Sequence, residues 1–231
     1  MKSMITALVA GGTLLVTAAP AQAAPKDPVR ALKTQLVTGH GVRFTETTTL
    51  VDGDDKTAFQ RRTGAFQFSK KGLAASDITA KVVARSDEQE RAITIGRTTY
   101  LSGGMWKDRL PEGKTWYRVG HMPGGGSGFY GQVINPAEPK TLAGLVKRAK
   151  RAGSRYTGTI TFKELDKLSP WFGASVPLRM HDDTKVSYTL TVTGAGLVSR
   201  VTSSYKATGV LDTDALEGKT FTIDSRFTGW G

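Results

Sequence analysis

The chain has 231 residues and no cysteine, which excludes a disulfide framework, thiol catalysis and a lipid-modified N-terminal cysteine. Its 32 Lys and Arg outnumber 20 Asp and Glu, for a net charge of +12, so an anionic partner enters consideration.

Lys2, an apolar run from Met4 to Ala19, Pro20 and the triplet Ala21-Gln22-Ala23 compose an export signal, with cleavage expected after Ala23. The run is shorter than the roughly 18 apolar residues of a spanning helix, and no second candidate comes later. Residues 1–23 are therefore expected to be a cleaved signal peptide. Residues 24–231 are expected to form a single domain, long enough to bury a core without staples, secreted or associated with the cell wall and not membrane-spanning. Outside a cell, the basic balance points to anionic wall polymers or lipid head groups and away from nucleic acid.

From Pro25 to Thr38, Val29, Leu32 and Leu36 share one helical face, with Asp27-Pro28 as the start signal and Gly39 as terminator. Period-two alternation follows. Val42, Phe44 and Leu50 oppose Arg43, Thr45, Thr47 and Thr49; Phe66 and Phe68 flank Gln67; Ile78, Ala80 and Val82 alternate with Thr79 and Lys81; Ile93 and Ile95 flank Thr94. This half reads as an antiparallel meander that ends in the segment Arg97–Val119. There a Gly-rich turn presents Met105 and Trp106 between two strands, and Trp116 and Tyr117 point to opposite faces.

The stretch Gly120–Pro139 is too rich in Gly and Pro for regular structure. Beyond it Leu142, Leu145, Val146 and Ala149 make the apolar stripe of a helix that Gly153 ends, with Lys147, Arg148, Lys150 and Arg151 on its back. A short third helix spans Glu164–Phe172. The clearest alternation lies in the last third. Tyr156, Ile160 and Phe162, then Val186, Tyr188, Leu190 and Val192, then Leu197, Val201 and Tyr205, then Phe221, Ile223 and Phe227 alternate with Thr, Ser and charged residues. Such strands belong to an antiparallel sheet covered on one face.

About ten strands at roughly 4.8 Å spacing would span on the order of 45 Å, whereas a helix is about 10 Å across. Two or three short helices cannot cover that face unless the sheet curls around them. The fold class is therefore α+β, a curved antiparallel half-barrel with helices on its concave face. Either an apolar cavity remains, or large residues such as Phe44, Phe66, Phe68, Tyr156, Phe162, Tyr188, Phe221 and Phe227 fill the cup.

The segment TYLSGGMWKDRLPEGKTWYRV, the helix after NPAEPKTLAGLVKRA, the first amphipathic helix and the Thr-alternating strands together resemble the LolA-like superfamily. The resemblance is strongest to the LppX/LprG-type actinobacterial lipoproteins and their secreted relatives. It implies a half-barrel plugged by helices, a cavity for acyl chains of lipids or lipoproteins, and no catalytic residues. The lipobox cysteine of the lipoprotein members is missing, which favours a freely secreted or wall-associated form.

No catalytic constellation, metal site or cofactor is expected. His40, His121 and His181 lack ligand spacing. Gly113-Lys114-Thr115 and Gly218-Lys219-Thr220 follow Asp108 and Thr213 where a P-loop requires glycine, and the acids of Asp52, Asp54 and Asp55 are followed by Thr63 where a calcium loop has glutamate. The leading expectation is a non-enzymatic carrier or envelope sensor for a hydrophobic ligand. Its candidate contacts are Phe44, Phe66, Phe68, Phe162, Tyr188 and Phe221 in the cup, with Met105, Trp106, Phe129 and Tyr130 at the rim. The alternative is a basic wall-associated protein with no small ligand that holds anionic envelope polymers through Lys147, Arg148, Lys150 and Arg151.

Overall fold

The first strand pairs with the last. In the computed structural model, which describes residues 26–83, 89–176, 179–210 and 214–231, β1 (Gly41–Asp52) lies between β2 (Asp55–Ser69) and β11 (Thr220–Thr228). The expected export signal at 1–23 lies outside the described residues. From β1 the chain meanders outward through β2, β3 (Gly72–Val82), β4 (Gln89–Ile95), β5 (Thr98–Gly103) and β6 (Tyr117–Val119). From the opposite edge it returns through β7 (Lys150–Ala152), β8 (Arg155–Thr161), β9 (Lys185–Val192) and β10 (Val198–Lys206) to β11.

The sheet order is β6-β5-β4-β3-β2-β1-β11-β10-β9-β8-β7, every pairing is antiparallel, and β6 and β7 remain open edges. The result is the curved half-barrel that alternation required, with eleven strands among the described residues. Both edge strands are three residues long, which leaves few unpaired backbone groups for another sheet to add to. The period-two reading holds along β9, where Val186, Tyr188, Leu190 and Val192 are buried while Lys185 and Ser187 face solvent.

Among the described residues four short helices serve the concave side, and their limits differ from the sequence reading for local reasons. α1 (Pro28–Thr34) is shorter than the Pro25–Thr38 span. Asp27 caps it by accepting from the Arg30 N–H (2.7 Å), and it buries Ala31 and Leu32. α2 (Pro139–Arg148) stops before Lys150, and β7 begins there, so Gly153 (φ 60°) turns the β7–β8 hairpin and does not end a helix. Lys150 and Arg151 therefore sit on the edge strand and not on the helix back.

The single helix expected over Glu164–Phe172 is two, α3 (Phe162–Leu168) and α4 (Pro170–Ser175). Pro170 lacks the N–H that would continue α3 and instead opens α4, capped by the Ser169 hydroxyl accepting from the Phe172 N–H (3.1 Å). Thr161 and Glu164 form a capping box at the start of α3. The Tyr188 hydroxyl donates to the Leu145 carbonyl (2.8 Å) and ties α2 to the sheet; burial pushes this phenol up to about 12, so it stays a neutral donor.

The Gly- and Pro-rich stretch does not protrude. After a 3-10 turn at Gly126–Tyr130, residues 131–138 are all buried and cross the concave face. Val133, Ile134 and Ala137 join the main core with Phe44, Phe68, Phe162, Phe172 and Phe221. A smaller cluster of Ala92, Leu101 and Trp106 lies under β4 and β5.

Candidate functional site

Polar side chains occupy inward positions at the middle of the sheet. Glu46 on β1 lies in register with Arg62 on β2 and Ser225 on β11. Arg62 Nε donates to Glu46 Oε1 (2.8 Å), the Gln132 N–H donates to the same oxygen (3.0 Å), and Ser225 Oγ donates to Oε2 (2.9 Å). The Gln132 side chain extends this belt, accepting from Ser203 Oγ (2.7 Å) and donating to Ser225 Oγ (3.2 Å). Desolvating a charge pair is expensive, and the added hydrogen bonds offset it on the Glu46 side, while the Arg62 guanidinium has the ion pair and the Trp171 ring as its compensation. The belt fixes the crossing segment over the sheet. Gly131 lies so close on the Arg62 guanidinium that a Cβ there would overlap it.

Trp171 on α4 links this belt to a cleft. Its Nε1–H donates to the Gln132 carbonyl (2.7 Å), the Arg62 guanidinium lies 5.8 Å from its ring centroid, and it meets Phe66 edge-on at 5.4 Å. Phe66 and Trp171 line a cleft of about 350 Å³ between β3 and β4 on one side and the start of α2 with the α3–α4 junction on the other. Leu73, Pro123, Leu168 and Pro170 add apolar wall. Space exists because β3 carries the short side chains Ala74, Ala75 and Ser76 here, just past a register shift between Gln67 and Phe68.

Two hydroxyls line the cleft on adjacent strands. Thr94 is bonded to Thr99 (Oγ1 to Oγ1, 2.9 Å), whereas its cross-strand partner Ser76, only 8% exposed, has an Oγ with no hydrogen-bond partner among the described residues. Glu138, at the start of α2, accepts from the Ser169 and Thr141 hydroxyls and from the Trp171 N–H (2.9 Å). Burial pushes its carboxyl above the usual range, and those three donors pull the other way. It joins α2 to α4. Lys71, Lys140 and His121 are exposed members of the lining, with Lys140 Nζ donating to the Lys167 carbonyl (3.2 Å). The arrangement suits an apolar chain with one group able to hydrogen-bond Ser76 and an anionic head near the lysines.

Of the ten residues singled out by sequence, Phe66 is the one among the described lining residues. Phe44, Phe68, Phe162, Tyr188 and Phe221 are buried in the core, with Phe44 stacked on Phe66 at 5.1 Å. Met105 is 55% exposed, while Trp106 beside it is buried, stacked on Tyr117 at 5.3 Å and donating through Nε1 to Glu90 Oε2 (2.9 Å). Phe129 and Tyr130 are half-buried, and Tyr130 packs on Phe59 and Phe221. The basic set divides between two elements: Lys147 and Arg148 on α2, Lys150 and Arg151 on β7. Arg148 is engaged by the Gly144 carbonyl (2.9 Å) and Glu164 (3.3 Å). Sequence reasoning missed Ser76, Thr94, Glu138 and Trp171 as lining residues.

No family model matches the chain, and no curated protein matches it. Among solved structures, a DUF1329 family protein from Desulfovibrio piger is similar over 88% of this chain and 94% of that chain, at 13% identity and a TM-score of 0.24, a likeness too distant to carry an argument. Among the described residues no helix is long and apolar enough to cross a membrane.

Proposed function

We propose that this is an exported, non-enzymatic protein that binds a small hydrophobic ligand, the acyl chain of a lipid, in the cleft between β3–β4 and the helices. It would act as a carrier or an envelope sensor, secreted or wall-associated. The observation that carries the reading is the unpartnered Ser76 hydroxyl, buried in a cleft whose other buried polar groups, Thr94 and Glu138, already have partners. A buried hydroxyl without a partner is costly unless something arrives to bond it. The LolA-like resemblance of the sequence supports the same reading, because a helix-plugged half-barrel is the architecture it implies.

The size of the cleft sets the ligand class. At about 350 Å³ it falls at the low end of the roughly 300–1,000 Å³ typical of ligand sites, suited to one chain and not a multi-chain lipid. Burying about six methylenes at ~0.8 kcal/mol each contributes about 5 kcal/mol, short of the roughly 8 kcal/mol of a micromolar complex, so micromolar affinity requires the hydrogen bond to Ser76 and the head-group charge as well, and nanomolar affinity is not expected. Native mass spectrometry of protein purified from its own host tests the reading. A single-chain amphiphile bound one to one is expected; protein that emerges ligand-free and also ignores fatty-acid probes overturns it.

A further inference from the structure

The convex face, opposite the cleft, carries its own groove. It has a volume of about 330 Å³ and is lined by the outward residues Thr45, Thr47, Arg61, Thr63, Asp224 and Arg226 of β1, β2 and β11, with Glu46 and Arg62, whose side chains pair on the other face, between them. In register, Arg226 stands opposite Thr45 and Arg61 opposite Thr47, so the two guanidinium groups flank β1 from its two neighbouring strands. With strands about 4.8 Å apart, β2 and β11 are separated by roughly 10 Å, a width that admits one extended chain.

The charges around this groove do not cancel. Asp224 is held by Arg200, whose Nε and Nη2 donate to its two oxygens at 2.7 and 2.8 Å, and Arg226 reaches it only at 3.9 Å. Arg61 meets no carboxylate among the described residues, and neither does Arg43, which stands two residues before Thr45 on the same face. The pattern contrasts with β3–β4, where Arg91 and Asp77 neutralise each other through paired hydrogen bonds of 2.6 and 2.9 Å. Among the described residues, the hydroxyls of Thr45, Thr47 and Thr63 make no side-chain hydrogen bond, which leaves three donors beside the Arg61 guanidinium and that of Arg226, which has one distant contact with Asp224.

We propose that this groove is a binding site for a linear phosphate-bearing polymer, laid along β1 and held by Arg61 and Arg226 with the threonine hydroxyls. Guanidinium forks match phosphate oxygens two at a time, and hydroxyls donate to the same oxygens. The curvature favours a polymer over a lipid bilayer. A flat membrane touches only the crown of a convex sheet, whereas a flexible chain enters a recess between strands. The site is independent of the cleft, since the two lie on opposite faces of one sheet. It also differs from the helix-back footprint expected from sequence, because Arg148 is already engaged by Gly144 and Glu164.

The test uses the whole chain without its export signal, long-chain inorganic polyphosphate as probe, and phosphatidylglycerol vesicles in parallel. At about 0.15 M ionic strength, Arg61→Gln/Arg226→Gln is expected to bind labelled polyphosphate about tenfold more weakly than wild type, with a shallower salt dependence. Lys147→Gln/Arg148→Gln is expected to stay within about twofold of wild type. Arg61→Lys, which keeps the charge and loses the fork, is expected to fall between. Both groove arginines are exposed, so thermal unfolding of these variants checks that the fold is intact. Wild-type affinity in the double variant, an equal loss in the helix variant, no polyphosphate binding, or binding to vesicles alone would each overturn the proposal.

Discussion

Arg62 and Glu46 form an ion pair at the centre of the concave face, 2.7 Å apart and with side chains only 1% and 2% exposed. Removing either partner strands the other charge away from water. Glu46→Gln is expected to destabilise the protein by about 3–5 kcal/mol. Glu46→Gln/Arg62→Met is expected to lose less than the two single changes summed. Urea unfolding of the three variants measures this; additive losses would mean the two residues do not act as a pair.

Gly131 is the close-approach point of the crossing segment. A Cβ at this position overlaps the Arg62 guanidinium, which is fixed by Glu46 and cannot give way. Gly131→Ala is therefore expected to cost about 1–3 kcal/mol. Gly120→Ala serves as the control, since nothing lies within 4 Å of its added Cβ, and it is expected to leave the urea midpoint unchanged.

Glu138 gives a pH signature of known sign. Burial raises its folded-state pKa above the unfolded value, so its contribution to stability is fully present below the unfolded pKa and is lost as pH rises through the folded pKa. Glu164 acts in the opposite direction, because the Thr161 N–H, its largest stabilising contact, lowers its pKa. The difference between wild type and Glu138→Gln isolates the first effect. Wild type is expected to lose stability relative to the variant as pH rises above the ordinary carboxylate range; a difference that stays constant with pH would show that Glu138 does not titrate this way.

How far these features were legible differs from element to element. Alternation located most strands and their buried faces because it is local, and it implied curvature because so wide an apolar face has few helices to cover it; it failed on β4, where Thr94 points inward and Ile95 is 60% exposed, and at Phe162, which opens α3. The Pro170 break was also readable, since proline cannot continue a helix. The polar belt left a signal too. Glu46 follows Val42 and Phe44 on the inward parity of β1, and Arg62 precedes Phe66 and Phe68 on that of β2. A carboxylate and a guanidinium at inward positions on adjacent strands suggest a buried pair.

The large aromatic residues were legible as filling of the cup, but the part that the crossing segment plays in it was not. Residues 131–138 bury themselves through Glu46, Ser203 and Ser225, partners on strands remote in sequence, and no local periodicity announces that. The fate of Met105 and Trp106 was equally hidden, because a 3-10 turn sends one outward and the other under the Gly-rich segment toward Glu90. The cleft draws Ser76, Thr94 and Trp171 from three separate stretches, so only the folded chain assembles it.

The most direct measurement is a titration of a fluorescent fatty-acid probe into the wild type and into Ser76→Met, whose longer apolar side chain fills the cleft and removes the unpartnered hydroxyl. Saturable one-to-one binding at micromolar concentration is expected for the wild type, with loss of about tenfold or more in a Ser76→Met variant that unfolds at an unchanged urea midpoint. Absence of saturable binding to the wild type, or equal binding to both proteins, would contradict the assignment of the cleft as the ligand site.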